Sequence, residues 1–232
     1  MNFYGFHKTT LLEYPKHIAS ILFTLGCNMR CPFCHNAELV ESSKNEPVIN
    51  DAGFFQFLEK RKGILEAVCI SGGEPLMYEA HLIDFIDKVK SKGLKVKIDT
   101  NGSFPDVLKK LDVDYIALDI KTSFENYHKI GYTGENIVDK IKESLDYVMN
   151  IFTNEYELRT TVVPGIVDLH DIKQIALHIQ GAKNYVLSQF RPMNTLDNAF
   201  AFVKPYPIEY IEEMKSFCVQ QGIVTEIRAN YN

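Results

Sequence analysis

The sequence predicts an α/β protein whose parallel strands form a partial barrel of six strand–helix units. Segments with strand character alternate with segments of helical periodicity at least six times over 232 residues. Strands connected through helices run parallel, with right-handed crossovers. Unusual polar strings follow the first four strands, and this favours a barrel, in which functional groups collect at strand ends. An open doubly wound sheet would concentrate its ligand at one switch point.

Short apolar runs mark the predicted strands. They span residues 18–26, 65–70, 94–98, 115–120, 157–163, 185–187 and, as a closing strand, 223–227. Apolar residues at helical spacing mark the helices between them. The clearest stripe comprises Leu82, Phe85, Ile86 and Val89. Asn50 or Asp51 is predicted to cap one helix, and Pro207 suits the first turn of the last helix.

The length and the 46% hydrophobic content predict one domain, residues 1–232, with an ample core. Within it we distinguish a leader, 1–17, a barrel core, 18–190, and a C-terminal extension, 191–232. Residues 41–50 are polar, contain Pro47 and predict a surface loop.

A formal net charge of −5 gives no reason to expect binding to nucleic acid or to a membrane. The sequence contains no run long enough for a membrane span, and its start lacks the pattern of a signal peptide. We therefore expect a cytoplasmic protein.

Three cysteines lie within eight residues after the first strand: Cys27, Cys31 and Cys34. Gaps of three and two residues let this loop fold around one small inorganic centre, and soft thiolates suit iron–sulfur or zinc. A zinc site would need His35 as its fourth ligand, although structural zinc ligands usually come as spaced pairs. The odd number of cysteines, five in all, disfavours disulfides.

The other two cysteines are predicted to be core residues. Cys69 lies in a continuous apolar run, and Cys218 lies on one stripe of the last helix. Free cysteine behaves as a small buried hydrophobe, so a second cluster is not expected.

Polar strings follow the next strands, and each has a plain structural interpretation. Gly72-Gly73-Glu74-Pro75 forms a turn without Cβ atoms, which would let its backbone approach a ligand. Asp99-Thr100-Asn101-Gly102 contains the common Asn-Gly turn. Asp119 and Lys121 share one strand face and could simply pair with each other. A buried Arg159 would need a carboxylate partner.

Taken together, these side chains predict a polar lining in an otherwise apolar barrel. The lining would consist of Asp99, Asp119, Lys121 and Arg159. Such a set could hold a zwitterionic ligand and a ribose.

The cysteine spacing, with an aromatic residue before the last cysteine, resembles the signature of the radical S-adenosylmethionine (radical SAM) superfamily. This resemblance implies a 4Fe–4S cluster on Cys27, Cys31 and Cys34, with one iron open to S-adenosylmethionine. Reductive cleavage would then give a 5′-deoxyadenosyl radical. The second string resembles the GGEP motif of that family, which implies that Gly72, Gly73 and Glu74 hold the methionine amino group.

The DTNG and LDIK strings, with Cys34-His35-Asn36, resemble the glycyl-radical-enzyme activating enzymes of this superfamily. In such relatives the aspartates and the lysine of the two strings contact the methionine moiety or a nearby cation. The aromatic-Cys-His stretch, here Phe33 to His35, lies against adenine.

The leader string Lys8 to Pro15 resembles activating proteins of anaerobic ribonucleoside-triphosphate reductase. That implies this reductase as partner and a flavodoxin or ferredoxin as electron donor. Relatives place a ribose-contacting histidine after the VVPG string, but His170 follows Gly165 so closely that we predict a surface or cap residue.

Two rival functions stay open at this point. One is a radical SAM enzyme that acts on a small molecule, resembling 7-carboxy-7-deazaguanine synthase, which is also short and carries GGEP. The other is a zinc-binding or electron-transfer module without catalysis.

Overall fold

Strands alternate with helices along the chain in the computed structural model, which describes residues 1–40, 46–132 and 134–229. Residue contacts divide the chain into two compact units. The first comprises Met1–Cys27, Glu38–Thr100 and Phe104–Ile116. The second comprises Asn28–Ala37, Asn101–Ser103 and Ala117–Asn232. The boundaries fall within the cysteine loop, within the DTNG string and within one strand. The single domain predicted over residues 1–232 stays a prediction.

The first unit contains most of the short strands. It begins with β1 (Asn2–Phe3), β2 (Gly5–Thr10) and β3 (Ala19–Thr24). After α1 (Ala37–Val40), whose first residue belongs to the second unit, follow β4 (Ile49–Asn50), α2 (Asp51–Lys60), β5 (Ala67–Gly72), α3 (Glu79–Lys90), β6 (Lys95–Thr100) and α4 (Pro105–Leu108). Strand β7 (Tyr115–Asp119) begins in the first unit and ends in the second.

The three strands of the first unit that the sequence predicted, β3, β5 and β6, pair in parallel, as expected. β5 lies between β3 and β6 and is parallel to both. β2 pairs antiparallel with β3, and β1 pairs antiparallel with β4. β1, β2 and β4 were missed by sequence analysis because β1 and β4 have only two residues each and β2 is polar and largely exposed. Residues 41–45 of the predicted surface loop lie outside the described residues, and its last two residues form β4.

Apolar stripes hold this unit together. The predicted stripe on α3 is confirmed, since its four residues are all buried. Phe85 from this stripe lies with its ring centroid 5.0 Å from that of Phe3 and 5.7 Å from that of Phe54. The predicted cap is also confirmed: Asn50 Oδ1 accepts a hydrogen bond from the Gly53 amide at 2.9 Å and starts α2.

The second unit continues the alternation of helix and strand. Its elements are α5 (Ile137–Asp146), β8 (Glu155–Val162), α6 (Leu169–His178), β9 (Tyr185–Gln189), α7 (Ile208–Gln220) and β10 (Thr225–Arg228). A π-helical turn, Tyr147–Ile151, extends α5. β9 lies between β8 and β10 and is parallel to both. The end of β7 joins this set through the Ile120 amide, which donates to the Arg159 carbonyl at 2.8 Å.

Two predictions about helix ends can be compared with the structure. Pro207 is the N-cap of α7, one residue before the first turn in which it was predicted, because its backbone is extended (φ −62°, ψ 153°). His170 is exposed in the first turn of α6, and its backbone amide donates to Asp168 Oδ1 at 2.8 Å. The prediction of a surface residue is therefore confirmed.

Both cysteines outside the loop are core residues, as predicted. Cys69 and Cys218 are fully buried, and burial raises the pKa of the Cys218 thiol to about 11. Among the described residues, no helix has both the length and the apolar character that crossing a membrane requires.

Candidate active site

The two glycines after β5 are required by the approach of two protein backbones. The Gly73 amide donates to the Thr24 carbonyl at 3.0 Å, at the end of β3. A Cβ on Gly73 would lie 1.8 Å from the Gly26 carbonyl oxygen, and one on Gly72 would lie 2.3 Å from the Thr24 amide nitrogen. Gly72 also has φ +120°, which side chains disfavour. The turn is therefore packed against the strand that leads into Cys27.

The next residue of this turn, Glu74, is buried and fixed by hydrogen bonds. Its amide donates to the Gly26 carbonyl at 2.8 Å. Its carboxylate accepts from the Leu76 amide at 3.1 Å and from the Thr100 hydroxyl at 2.9 Å. Glu74 thus connects the glycine turn to the end of β6.

Asp99, beside Thr100 on β6, forms an ion pair with a residue that sequence analysis missed. The Lys97 ammonium lies 3.2 Å from Asp99 Oδ1, and both side chains are almost completely buried. The two residues are two positions apart on one strand, so they share a face. The same spacing rule that pointed to Asp119 and Lys121 would have found this pair.

In the second unit, the last two cysteines lie in a tight turn. The Cys34 amide donates to the Cys31 carbonyl at 3.0 Å, and the Pro32 carbonyl accepts from the Asp197 amide at 2.9 Å. Cys31 is buried and Cys34 is half-buried. None of the five cysteines, which all lie in the described part of the chain, forms a disulfide. The donor chemistry of the loop, three thiols without a disulfide, fits an iron–sulfur cluster.

The His35 ring, next to Cys34, is held by two contacts in the second unit. Its Nε2 lies 2.6 Å from the Arg191 carbonyl oxygen, so Nε2 carries a proton and donates it. The ring stacks on Phe190, with centroids 5.8 Å apart and an angle of 11° between the planes. Phe33, two residues earlier, is buried.

Asp119, Lys121 and Arg159 are in contact in the second unit. Arg159 Nε lies 2.7 Å from Asp119 Oδ1, and Lys121 Nζ lies 2.9 Å from Asp119 Oδ2. Burial alone would raise the pKa of Asp119, but the two cations hold it well below its usual range. The predicted carboxylate partner of Arg159 is therefore confirmed.

Lys121 also responds to the cysteine loop. Burial opposes its charged form, yet the Asp119 carboxylate and the negative charge of Cys31 raise its pKa above the usual range, with a smaller contribution from Cys34. The electrostatic effect of two predicted cluster ligands thus adds to that of Asp119 in favouring the charged form of Lys121.

A second carboxylate, missed by sequence analysis, extends this network. Glu157 is buried, lies 3.5 Å from Arg159 Nη1 through its Oε1, and accepts a hydrogen bond from Arg228 Nη1 at 3.2 Å. Arg228 Nη2 contacts Glu157 Oε2 as well. The signal was present, because Glu157 stands two residues before Arg159 on the same strand face.

The end of the DTNG string supports the cysteine loop. Asn101 Nδ2 donates to Asn28 Oδ1 at 3.0 Å, and Asn28 Nδ2 donates to the Ser103 hydroxyl at 2.8 Å. Gly102 has φ +75° and makes the predicted turn. Asn101 therefore does more than form a turn, and nothing in the sequence pattern indicated Asn28 or Ser103.

The structure groups the predicted site residues within each unit. In the first unit, the glycine turn, Glu74 and Asp99 are linked along β5 and β6. In the second, Asp119 joins Lys121 and Arg159, and Cys31 and Cys34 contribute to the raised pKa of Lys121. The ligand roles of these residues stay predictions.

Comparison with known proteins identifies the family. The Radical SAM superfamily profile matches residues 21–179. The chain has the fold of a solved structure of TYW1 with a bound lysine–pyruvate adduct, with a TM-score of 0.64 and 17% identity over 87% of this chain and 73% of that one. The chain belongs to the radical SAM superfamily, and the predicted α/β fold, a partial (β/α)6 barrel, is confirmed.

Two relatives narrow the class. A Methanocaldococcus jannaschii protein, named provisionally as a glycyl-radical enzyme activating enzyme, is 35% identical over 209 residues, which cover 84% of this chain and 82% of the relative. The pyruvate formate-lyase-activating enzyme of Listeria monocytogenes is 34% identical over 184 residues, covering 68% and 73%. The chain is an enzyme of the glycyl-radical-enzyme activating family, whose cofactors are a 4Fe–4S cluster and S-adenosylmethionine.

Proposed function

We propose that this enzyme installs a glycyl radical on a partner enzyme, and that the partner is an anaerobic ribonucleoside-triphosphate reductase. The similarity to activating enzymes over most of the chain is the strongest support for this activity. The leader string Lys8 to Pro15 supports the reductase as partner. Relatives that activate pyruvate formate-lyase make that lyase the nearest competing partner.

When bound, a 4Fe–4S cluster and S-adenosylmethionine would supply the radical chemistry that removes a hydrogen atom from a glycine Cα of the partner. Cys27, Cys31 and Cys34 would hold the cluster. The charge of Lys121, fixed by Asp119, would favour the thiolate forms of Cys31 and Cys34. The protein contributes orientation and electrostatics, as cofactor enzymes generally do.

The remaining predicted residues would hold S-adenosylmethionine. Gly72, Gly73 and Glu74 are assigned to its amino group, and Phe33 and His35 to its adenine. Asp99, Asp119 and Lys121 are assigned to its methionine moiety, and Arg159 completes the polar lining around the ligand. Support comes from the fixed positions of Glu74 and His35, each held by two polar or stacking contacts.

The test is an anaerobic activation assay. The purified protein, reconstituted with iron and sulfide and reduced with dithionite, is mixed with S-adenosylmethionine and candidate glycyl-radical enzymes. We expect 5′-deoxyadenosine and a glycyl doublet in the EPR spectrum with the ribonucleotide reductase. A doublet only with pyruvate formate-lyase would contradict the proposed partner. A flavodoxin or ferredoxin is expected to replace dithionite as the electron source.

The rival functions give different results in the same assay. Conversion of a small molecule such as the precursor of 7-carboxy-7-deazaguanine, without any glycyl doublet, would indicate the small-molecule activity. A colourless protein with one bound zinc and no 5′-deoxyadenosine would indicate a module without catalysis.

A further inference from the structure

Lys97, in the middle of β6, is a buried lysine that the proposed function does not use. Its side chain is 3% exposed, and its neighbour across the sheet is the buried Cys69 on β5. The surrounding cluster of buried residues is almost entirely apolar. It contains Tyr14, Ala19, Ile21, Ala67, Cys69 and Tyr115. An ammonium group in such surroundings is costly unless charged or polar partners compensate for the loss of water.

Three groups compensate for the burial of this ammonium. Lys97 Nζ donates to the Glu13 carbonyl at 2.7 Å and lies 3.2 Å from Asp99 Oδ1. It also lies 5.5 Å from the ring centroid of Tyr115, within the range of a cation–π interaction. The contact with Asp99 Oδ1 is an ion pair without hydrogen-bond alignment. Coulombic attraction, which is strong at low dielectric, therefore governs this contact.

The Glu13 contact connects Lys97 to the leader, residues 1–17. Tyr14, the next residue, is 1% exposed and packs edge-on against Tyr115 with centroids 5.5 Å apart. Leu11 and Leu12, just before Glu13, are 71% and 90% exposed. The end of the leader is thus anchored in the first unit through the Tyr14 ring and the Glu13 carbonyl group, in addition to the pairing of β1 and β2.

The Asp99 contact connects Lys97 to a predicted cofactor-binding residue. Asp99 is followed by Thr100, whose hydroxyl donates to the Glu74 carboxylate. One line of contacts therefore runs from the leader through Lys97 to Asp99, and along β6 to Glu74. An apolar side chain in place of Lys97 would avoid the cost of burying a charge but could not orient the carboxylate.

We propose that Lys97 is a positioning residue for Asp99. Its ammonium orients the carboxylate for S-adenosylmethionine, while its hydrogen bond to Glu13 attaches the leader to the same strand. The leader is then part of the cofactor-binding machinery. This inference rests on the proposed role of Asp99 as a ligand of the methionine moiety.

The test compares three substitutions of Lys97 with one control. Lys97→Met removes the charge and the donor, Lys97→Gln keeps a donor, and Lys97→Arg keeps both. The control is Lys95→Met, a change of the exposed lysine two residues earlier on β6. The dissociation constant for S-adenosylmethionine is measured by calorimetry on the reconstituted protein under anaerobic conditions, below the melting temperature of each variant.

We expect Lys97→Met and Lys97→Gln to weaken binding about tenfold, the usual effect of losing a residue that orients a ligand group. Lys97→Arg should restore most of the affinity, and Lys95→Met should bind like the wild type. Iron content should be unchanged in all four variants. If Lys97→Met fails to fold, the difference between Lys97→Gln and Lys97→Arg decides the question.

A second measurement needs no cofactor. Lys16, an exposed residue of the leader, is a trypsin site, and we expect faster cleavage there in Lys97→Met and Lys97→Gln apoprotein than in Lys95→Met. Unchanged binding in all Lys97 variants would overturn the inference, even if their stability fell. Wild-type protein that binds S-adenosylmethionine but never produces a glycyl doublet would instead refute only the proposed function.

Discussion

Lys97 and Asp99 in the first unit stand two residues apart on β6 and share one of its faces. Asp119 and Lys121 in the second unit have the same spacing, but Asp119 is the last residue of β7 and Lys121 lies just beyond it. The surroundings of the two pairs differ. The first pair is almost sealed, with side chains 3% and 10% exposed, and its cation is bonded to the leader backbone. The second pair is 23% and 25% exposed and has Arg159 as a second cation.

This difference indicates two uses of one sequence pattern. The sealed pair is suited to fixing geometry, because water cannot compete for the ammonium and few motions are open to it. The more exposed pair is suited to acting on a ligand, because a ligand can reach its side chains. In addition, Cys31 and Cys34 contribute to the raised pKa of its lysine. Substitutions of Asp119 or Lys121 should therefore change the reaction rate more than they change the anchoring of the leader.

The largest effect is expected from Lys121→Met. Losing a fixed cation beside the cluster ligands should lower the rate of 5′-deoxyadenosine formation about 10²-fold, as for other preorganised electrostatic groups. The rate is measured by chromatography after anaerobic reduction. The control is Lys183→Met, a change of an exposed lysine in the same unit. Equal rates in the two variants would show that the Asp119–Lys121 pair has no special part in the chemistry.

A smaller effect on chemistry, but a clear loss of stability, is expected from Glu157→Gln. This change leaves Arg159 and Arg228 without their shared buried carboxylate, which should lower the free energy of unfolding by about 3 kcal/mol. Chemical denaturation measures the difference. Glu155→Gln changes the exposed acid two residues earlier on β8 and should have little effect. If Glu157→Gln were as stable as the Glu155→Gln control, the pairing of Glu157 with Arg228 would not contribute to the stability of the fold.

The smallest effect concerns pH and Asp119. Because its pKa in the folded protein is below the unfolded value of about 3.9, its stabilising contribution is complete above about pH 5 and is lost as the pH falls through the folded pKa. Asp119→Asn should thus be less stable than the wild type by about 2 kcal/mol at pH 7.

The gap between wild type and Asp119→Asn should stay constant down to about pH 5 and narrow below it. Thermal unfolding at a series of pH values checks this prediction. Asp112→Asn, at an acid whose side chain is 71% exposed, is the control. A gap that widened on acidification would show that Asp119 is not charged in the folded protein.

Much of this fold could be predicted because periodicity reports burial directly. Runs such as Ala67–Gly72 and the stripe on α3 have the spacing that a buried element requires. β1, β2 and β4 could not be predicted in the same way. β1 and β4 are too short to show a period. β2 is held by its backbone pairing with β3 and has no apolar face that the sequence pattern could reveal.

The candidate site was predictable where chemistry lies in local spacing, as in the cysteine loop. It was less predictable where a role depends on distant partners. Glu157 could have been found through Arg159, two residues later, but its contact with Arg228 from β10 could not, and no neighbour in sequence indicates the contact of Asn28 with Ser103. Lys97 was within reach of the spacing rule, but its bond to Glu13 depends on the folded path of the leader.

The tight fit between Gly73 and the Gly26 carbonyl bears on how such sequences should be interpreted. A glycine that folding itself demands would persist in a descendant that had given up catalysis, since any larger residue would distort the end of β3. Replacing Cys27 or Cys34, which are half-buried, would not by itself force two backbone segments apart in this way. When sequences of this kind are surveyed for activity, an intact GGEP string therefore indicates that the fold is kept. The three cysteines are the better indicator that the catalytic activity is kept.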